Sequence, residues 1–331
     1  MKVGYMKEAG VNSFIIDERN YVSAMDEKVI PYLTEHRKVF FLEREAGKKL
    51  YCVSYRADTP RGVILISHGF TETAEKYLEP VYYFLKMNFH VFCVEHCGHG
   101  RSYRLADDLS LVHTDSFDRY VNDLVYTAEF AKRKYPDLPL FLYAHSMGGG
   151  IGAAAASIYP GLFKKAVLSS PMIRPLTGNI PWTAAQITAG VFCMAGKERD
   201  YVMGQKPYDG QEQFEDSAAT SRARFEYYRK KRDADPLFQM NAASYGWLVS
   251  AGQLNHFLMR KSCRTIRTPL LIFQAEKETF VSNKETEAFA KKCSQNTAVS
   301  LVKIPGTKHE IYQSGNRELE EYWNRICRFL S

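Results

Sequence analysis

The sequence predicts an α/β domain: a mostly parallel eight-stranded sheet, helices on both of its faces, and a helical cap inserted into the second half of the chain. Three observations predict it. Short β-forming runs alternate with helical patterns, several of these runs are apolar at every position, and the alternation lapses between residues 172 and 264 before resuming. Strands buried on both faces lose polar alternation, so Val63-Ile64-Leu65-Ile66 marks the interior of a covered parallel sheet.

The expected strands are Val39 to Leu42, Leu50 to Tyr55, Val63 to Ser67, Val91 to Glu95, Leu140 to Ala144, Ala166 to Ser170, Leu270 to Ala275 and Val299 to Ile304. Between them, Phe117, Tyr120, Val121, Leu124, Val125 and Ala128 recur at helical spacing, with Asp115 or Ser116 available as N-cap. A second stripe, Leu319, Tyr322, Trp323, Ile326 and Phe329 to Leu330, predicts a C-terminal helix on the sheet. Residues 172–264 carry scattered aromatics and helix-forming composition, which predicts the cap. The α/β domain is then 38–171 with 265–331, and residues 1–37 form a partly helical extension of unassigned role.

At 331 residues and 45% hydrophobic content, one large core and an insertion can be buried, whereas two unrelated domains fit poorly. Charges scattered through Met1 to Asn20 interrupt the apolar run that export requires. No uncharged apolar run reaches the roughly 18 residues of a membrane span, Thr183 to Ala195 being too short. The 7 cysteines are odd in number and widely scattered, which suits free thiols in a reducing compartment. A cytoplasmic chain is expected, with peripheral contact at the inner face of a membrane as its extension. The net charge of +7 is modest, and no nucleic-acid partner is expected. Only Arg222, Arg224 and Arg229 to Arg232 cluster. They read as a solvated helix face, or alternatively as a patch for anionic phospholipid head groups.

The chemistry is concentrated in Ala144-His145-Ser146-Met147-Gly148-Gly149, which follows an apolar strand and precedes a helix of small residues. This is the context of a nucleophile elbow: a strained serine on a tight strand-to-helix turn, with small neighbours two positions either side. Gly148 meets that need, and Ala144 departs from the usual glycine by one methyl group. Acyl transfer also needs a base near neutral pH, and 9 histidines compete for the role. His309 lies in the loop after the last expected strand, at the rim where the elbow lies. His68, His96, His99 and His145 adjoin other rim loops, while His36, His90, His113 and His256 have no such placement. The loop after Leu270 to Ala275 offers two carboxylates, Glu276 and Glu278. For the developing oxyanion, the backbone N–H groups of Met147 and Phe70 are the candidates, Gly69 allowing close approach. Glu95-His96-Cys97-Gly98-His99 superficially suggests a metal site, but its spacing matches no closed zinc site, and neither metal nor cofactor is expected.

Ser67-His68-Gly69-Phe70, Gly98 to Ser102, Ala144 to Gly149, Ser170-Pro171-Met172, Gln274 to Val281 and Gly306 to His309 together resemble the α/β-hydrolase branch that holds monoacylglycerol lipases and bacterial lysophospholipases. The resemblance runs from about Phe40 to Phe329. It implies the α/β-hydrolase fold, a serine, acid, histidine chain order, and an acid three residues past Ala275. That selects Glu278, with Glu276 as the alternative. Bacterial lysophospholipases also resemble this chain in having alanine before the elbow and glutamate in the acid loop. The implied reaction is release of a fatty acid from a single-chain glycerolipid through an acyl-enzyme on Ser146, with His309 as general base. Trp182, Ile187 and Phe192, with Val191 and Met194, are candidates to line an acyl tunnel or else to form the cap's own core. A monoacylglycerol lipase or general carboxylesterase, an aminopeptidase-type hydrolase, and a non-catalytic binding protein on the same fold remain the alternatives.

Overall fold

The continuous apolar runs form the centre of the sheet. The computed structural model describes residues 14–331, in which the strands are β1 (Arg37–Glu45), β2 (Lys48–Tyr55), β3 (Gly62–Ser67), β4 (Phe89–Val94), β5 (Leu111–Val112), β6 (Leu140–His145), β7 (Ala166–Ser169), β8 (Ala242–Ala243), β9 (Leu270–Ala275) and β10 (Val299–Ile304). Eight of them form one sheet in the order β1-β2-β4-β3-β6-β7-β9-β10, and β5 pairs with β8 in a separate ribbon. From β4 to β10 all neighbours are parallel, while β1 and β2 add an antiparallel hairpin at one edge.

Successive strand residues feed two different hydrophobic layers. β3 sends Val63 and Leu65 to one side and Ile64 and Ile66 to the other; β6 sends Leu140 and Leu142 one way, Phe141 and Tyr143 the other. The first layer holds the helices Phe117–Lys134 and Ser146–Ile158, and the second holds Leu78–Lys86 and Asn316–Leu330. The helix Phe117–Lys134 settles its open cap: Ser116 Oγ accepts from Asp118 N at 3.1 Å, while Asp115 pairs instead with Arg119. The first strand is longer than its apolar run, because hairpin pairing with β2 carries it through Glu45. The two-residue strands β5 and β8 are too short for any sequence pattern to reveal.

The helices Trp182–Met194, Arg222–Ala234 and Tyr245–Phe257 lie between β7 and β9. Upstream of β1, Tyr21, Met25, Val29 and Leu33 recur every four residues along a helical run, and that buried stripe joins the layer of Tyr82 and Tyr83. Residues 1–13 of the expected extension lie outside the described residues. Arg224 fastens this segment to the helix Arg222–Ala234. Its side chain is fully buried, and it donates to both carboxylate oxygens of Glu79 (2.9 and 3.0 Å), to the Ile16 carbonyl (2.7 Å) and to the Ser314 carbonyl (3.2 Å). The expectation of a solvated basic face is therefore corrected. Arg222 is exposed, but Arg224 and Arg232 are buried, because each guanidinium finds acceptors on other elements. Among the described residues, no helix is long and apolar enough to cross a membrane.

Candidate active site

The parallel strands point their C-terminal ends at one rim, and the loops after β3, β6, β9 and β10 meet there. Ser146 opens the helix Ser146–Ile158 directly after β6 with a φ of +51°. A non-glycine residue in that region costs about 1–3 kcal/mol, so the surroundings must impose it. They do so through close packing of the helix start. A Cβ on Gly148 would strike the Ser67 carbonyl oxygen, one on Gly149 would lie 2.7 Å from Pro171 Cβ, and one on Gly150 would lie 2.5 Å from the Met172 carbonyl oxygen. Only glycine lets the turn fit between the loops after β3 and β7.

His309 Nε2 lies 2.8 Å from Ser146 Oγ, and His309 Nδ1 lies 2.8 Å from Glu278 Oε2. The other carboxylate oxygen of Glu278 accepts from the amides of Phe280 (2.8 Å) and Val281 (3.2 Å), which fixes the carboxylate plane. Burial opposes ionisation of Glu278, but the His309 charge, the His309 hydrogen bond and the two amides outweigh it, leaving its carboxyl below the usual range. Such a depressed group adds stability above its unfolded pKa and loses it as pH falls. Glu276 points elsewhere: it is exposed and accepts from Gly306 N at 2.9 Å. Of the two carboxylates open in the sequence, Glu278 is the one in contact with His309.

The Met147 amide sits in the first helical turn, where N–H groups lack an intrahelical acceptor. Phe70 lies on the loop after β3, and Phe70 and Ser146 line one cavity of about 360 Å³. The loop is braced by Glu72, which sequence reasoning missed. Its Oε2 accepts from Gly69 N at 2.6 Å and from Tyr77 Oη at 2.5 Å, and its Oε1 accepts from Tyr312 Oη at 2.7 Å. The signal available was a glutamate three residues past Gly69, one turn beyond the strand. His145, packed at a ring distance of 4.8 Å from His309, is held neutral by burial, its pKa brought down to about 3. His68, His96 and His99 are buried core rings with pKa values likewise lowered by burial, and His96 Nε2 lies 2.8 Å from Ser67 Oγ.

Residues 58–315 match the family described as serine aminopeptidase, S33. The chain belongs to that family. It is a serine hydrolase on the α/β-hydrolase fold. It is 28% identical over 270 residues to lysophospholipase L2 of Escherichia coli, covering 78% of this chain and 77% of that one. It is 27% identical over 263 residues to a monoacylglycerol lipase of Mycolicibacterium smegmatis, covering 78% and 85%. Among solved structures, a soluble variant of the monoglyceride lipase of Saccharomyces cerevisiae in complex with a substrate analog superposes with a TM-score of 0.71 at 19% identity, over 89% of this chain and 95% of that one, which is a likeness of fold.

In this serine hydrolase the cap residues expected along an acyl tunnel lie elsewhere. Trp182, Ile187 and Phe192 do not line the cavity beside Ser146: Ile187 is 69% exposed, Trp182 packs against the core, and Phe192 stacks on Tyr245 with ring centres 4.2 Å apart. The wall is built instead from Met172, Phe225, Tyr228, Trp247 and Phe280, with a polar end formed by Arg229 and Arg232. The helix Trp182–Met194 is apolar on most of its surface, so its sequence gives no face to choose.

Glu95, read above only as part of a rejected metal motif, is a buried carboxyl that accepts from Arg101 N (2.6 Å) and Ala74 N (3.1 Å). Burial pushes its pKa up to about 7. A raised acid contributes stability that is full below the unfolded value near 4.5 and is lost as pH passes 7. Glu95→Gln removes that titration. The stability of the variant relative to wild type should therefore rise between pH 4.5 and pH 8, by an amount on the order of 3 kcal/mol. Urea unfolding across that range reads the slope; a parallel pH dependence for the two proteins would sink the assignment.

Proposed function

We propose that this chain hydrolyses the acyl ester of a single-chain glycerolipid, a lysophospholipid first among them, through an acyl-enzyme on Ser146. Ser146 Oγ attacks the acyl carbonyl carbon while His309 Nε2 takes its proton. The carbonyl electron pair moves onto oxygen, where the amides of Phe70 and Met147 stabilise the charge. Glu278 holds the imidazole in the tautomer with Nδ1 protonated and stabilises its cation. Collapse of the tetrahedral intermediate breaks the ester C–O bond, and His309 returns the proton to the departing glycerol oxygen. Water, deprotonated by the same ring, then attacks the acyl-enzyme, and the fatty acid leaves with Ser146 restored. No cofactor enters this scheme.

The single observation that carries the reading is the chain of hydrogen bonds from Ser146 through His309 to Glu278, both 2.8 Å long, opening onto a cavity. The substrate class rests on relatives described as lysophospholipase L2 and monoacylglycerol lipase. Apolar residues on the outside of the cap, Ile187 at 69%, Val191 at 52% and Met194 at 83% exposure, support delivery of the substrate from a lipid surface by peripheral contact.

The test is fatty-acid release from a lysophospholipid and a monoacylglycerol of equal chain length, with Ser146→Ala alongside and an aminoacyl amide as the third substrate. Turnover of the lysophospholipid, preferred over the other two and abolished in the variant, is expected. Turnover of the amide alone would reassign the chain to peptidase chemistry.

A further inference from the structure

The cavity beside Ser146 has a charged end made by one face of the helix Arg222–Ala234. Arg229 and Arg232, three residues apart and so on one side, reach it together with Glu212 and Asn241. The Arg232 side chain is 10% exposed, and its guanidinium is held rigidly. Nη1 donates to Glu212 Oε2 (2.7 Å), Nη2 to the Met240 carbonyl (2.5 Å) and to Asn241 Oδ1 (3.2 Å), and the Tyr208 ring covers one face at 4.1 Å. Its Nε, also buried, has no hydrogen-bond partner among the described residues. A buried charged donor without an acceptor is costly, and the cavity that Arg232 lines is where a ligand acceptor can meet it. Arg229 is more open still: it makes one long bond to the Gly210 carbonyl (3.3 Å) and a 3.6 Å contact with Asp233. The third cation of the wall, Lys76, is already bound by Glu310 and Glu72 and takes no part.

Resting on the reading of the preceding section, we infer that this end of the cavity is a head-group subsite for a zwitterionic phosphodiester. Arg229 and Arg232 take the phosphate, and Glu212 takes the ammonium group beyond it. Guanidinium forks match phosphate oxygens in geometry as well as charge. Glu212, the more exposed partner of Arg232, can turn toward a ligand cation while Arg232 stays fixed by Met240 and Asn241. The arginines offer donors to the phosphate and Glu212 an acceptor to the ammonium, one kind of partner for each charge of the zwitterion, with Asp233 3.6 Å behind Arg229. An uncharged glycerol head leaves both guanidiniums without a new acceptor, and a phosphomonoester sets its second negative charge against Glu212. The subsite therefore separates lysophospholipids with a choline or ethanolamine head from monoacylglycerols cut by the same serine.

The test compares kcat/KM for lysophosphatidylcholine, lysophosphatidylglycerol and monoacylglycerol of one chain length in the full-length enzyme and in Arg229→Gln, Arg232→Gln and Glu212→Gln. Loss of a charge-assisted contact predicts a fall of about ten-fold or more in the ratio of lysophosphatidylcholine to monoacylglycerol turnover for either arginine variant. Glu212→Gln should shift preference toward lysophosphatidylglycerol. Arg229 anchors little else, so its variant decides the matter even if Arg232→Gln fails to fold. A second arm measures binding of glycerophosphocholine to Ser146→Ala protein by calorimetry, with and without Arg229→Gln. Arg229-dependent binding without lipid turnover would uphold the subsite and reject the proposed reaction. Lipid turnover with unchanged ratios in the Arg229 and Glu212 variants, or glycerophosphocholine binding indifferent to Arg229, would overturn the subsite.

Discussion

Glu278→Gln is expected to lower kcat by about 10,000-fold. The reason lies in the two amides behind the carboxylate. Phe280 N and Val281 N both donate to Oε1, so the amide oxygen of a glutamine must take that position and its NH₂ must face His309 Nδ1. A donor there forces Nδ1 to accept, which puts the imidazole proton on Nε2, facing Ser146. The base is then protonated where it should receive a proton. Glu276→Gln, at an exposed carboxylate that accepts from Gly306 N, should leave kcat within a few-fold of wild type by the same logic. Steady-state ester hydrolysis of the two variants separates the two carboxylates directly. Equal effects, or a larger one for Glu276, would refute the assignment.

The second large effect concerns stability. Arg224→Met strands Glu79 with its charge buried and removes the donors to the Ile16 and Ser314 carbonyls, a combination worth roughly 3–5 kcal/mol. Guanidinium unfolding should show that loss as a lower midpoint. Pairing Arg224→Met with Glu79→Gln should recover part of it, because the second change removes the stranded charge. A shift below about 1 kcal/mol for the single variant would mean that water reaches the pair. Since Arg224 sits on the helix that also carries Phe225, Tyr228, Arg229 and Arg232 to the cavity, the same variant should raise KM for lipid before it alters kcat.

The parts of the molecule that were legible in the sequence are those whose physics is local. Val63 to Ile66 is apolar at each position because both faces of β3 are covered, and that pattern survives without any knowledge of the partners. Ser146 is legible because its strained turn demands Gly148 two residues later, a demand set by the Ser67 carbonyl. Glu276 and Glu278 are not separable by residue type alone, since what tells them apart is the distant His309 ring and the backbone groups that fold against each.

Where burial depends on distant partners, the sequence misleads. Arg224 reads as a surface cation until Glu79, 145 residues away, supplies its counter-charge. Trp182, Ile187 and Phe192 read as a tunnel because an apolar helix looks the same whether it faces core, cavity or solvent; here Ala185 and Ala189 are the buried positions. The cavity wall draws on residues between Gln205 and Ala243 that come partly from irregular segments, and irregular segments have no period to read.

The central claim is that Ser146, activated by His309, forms the covalent intermediate. Reaction with a fluorophosphonate, followed by peptide mass spectrometry, tests it most directly. A single adduct is expected on the peptide bearing Ser146, none on that peptide in Ser146→Ala, and labelling slowed by at least about 100-fold in His309→Ala. An adduct on another residue of the folded protein, or undiminished labelling of Ser146→Ala, would contradict it.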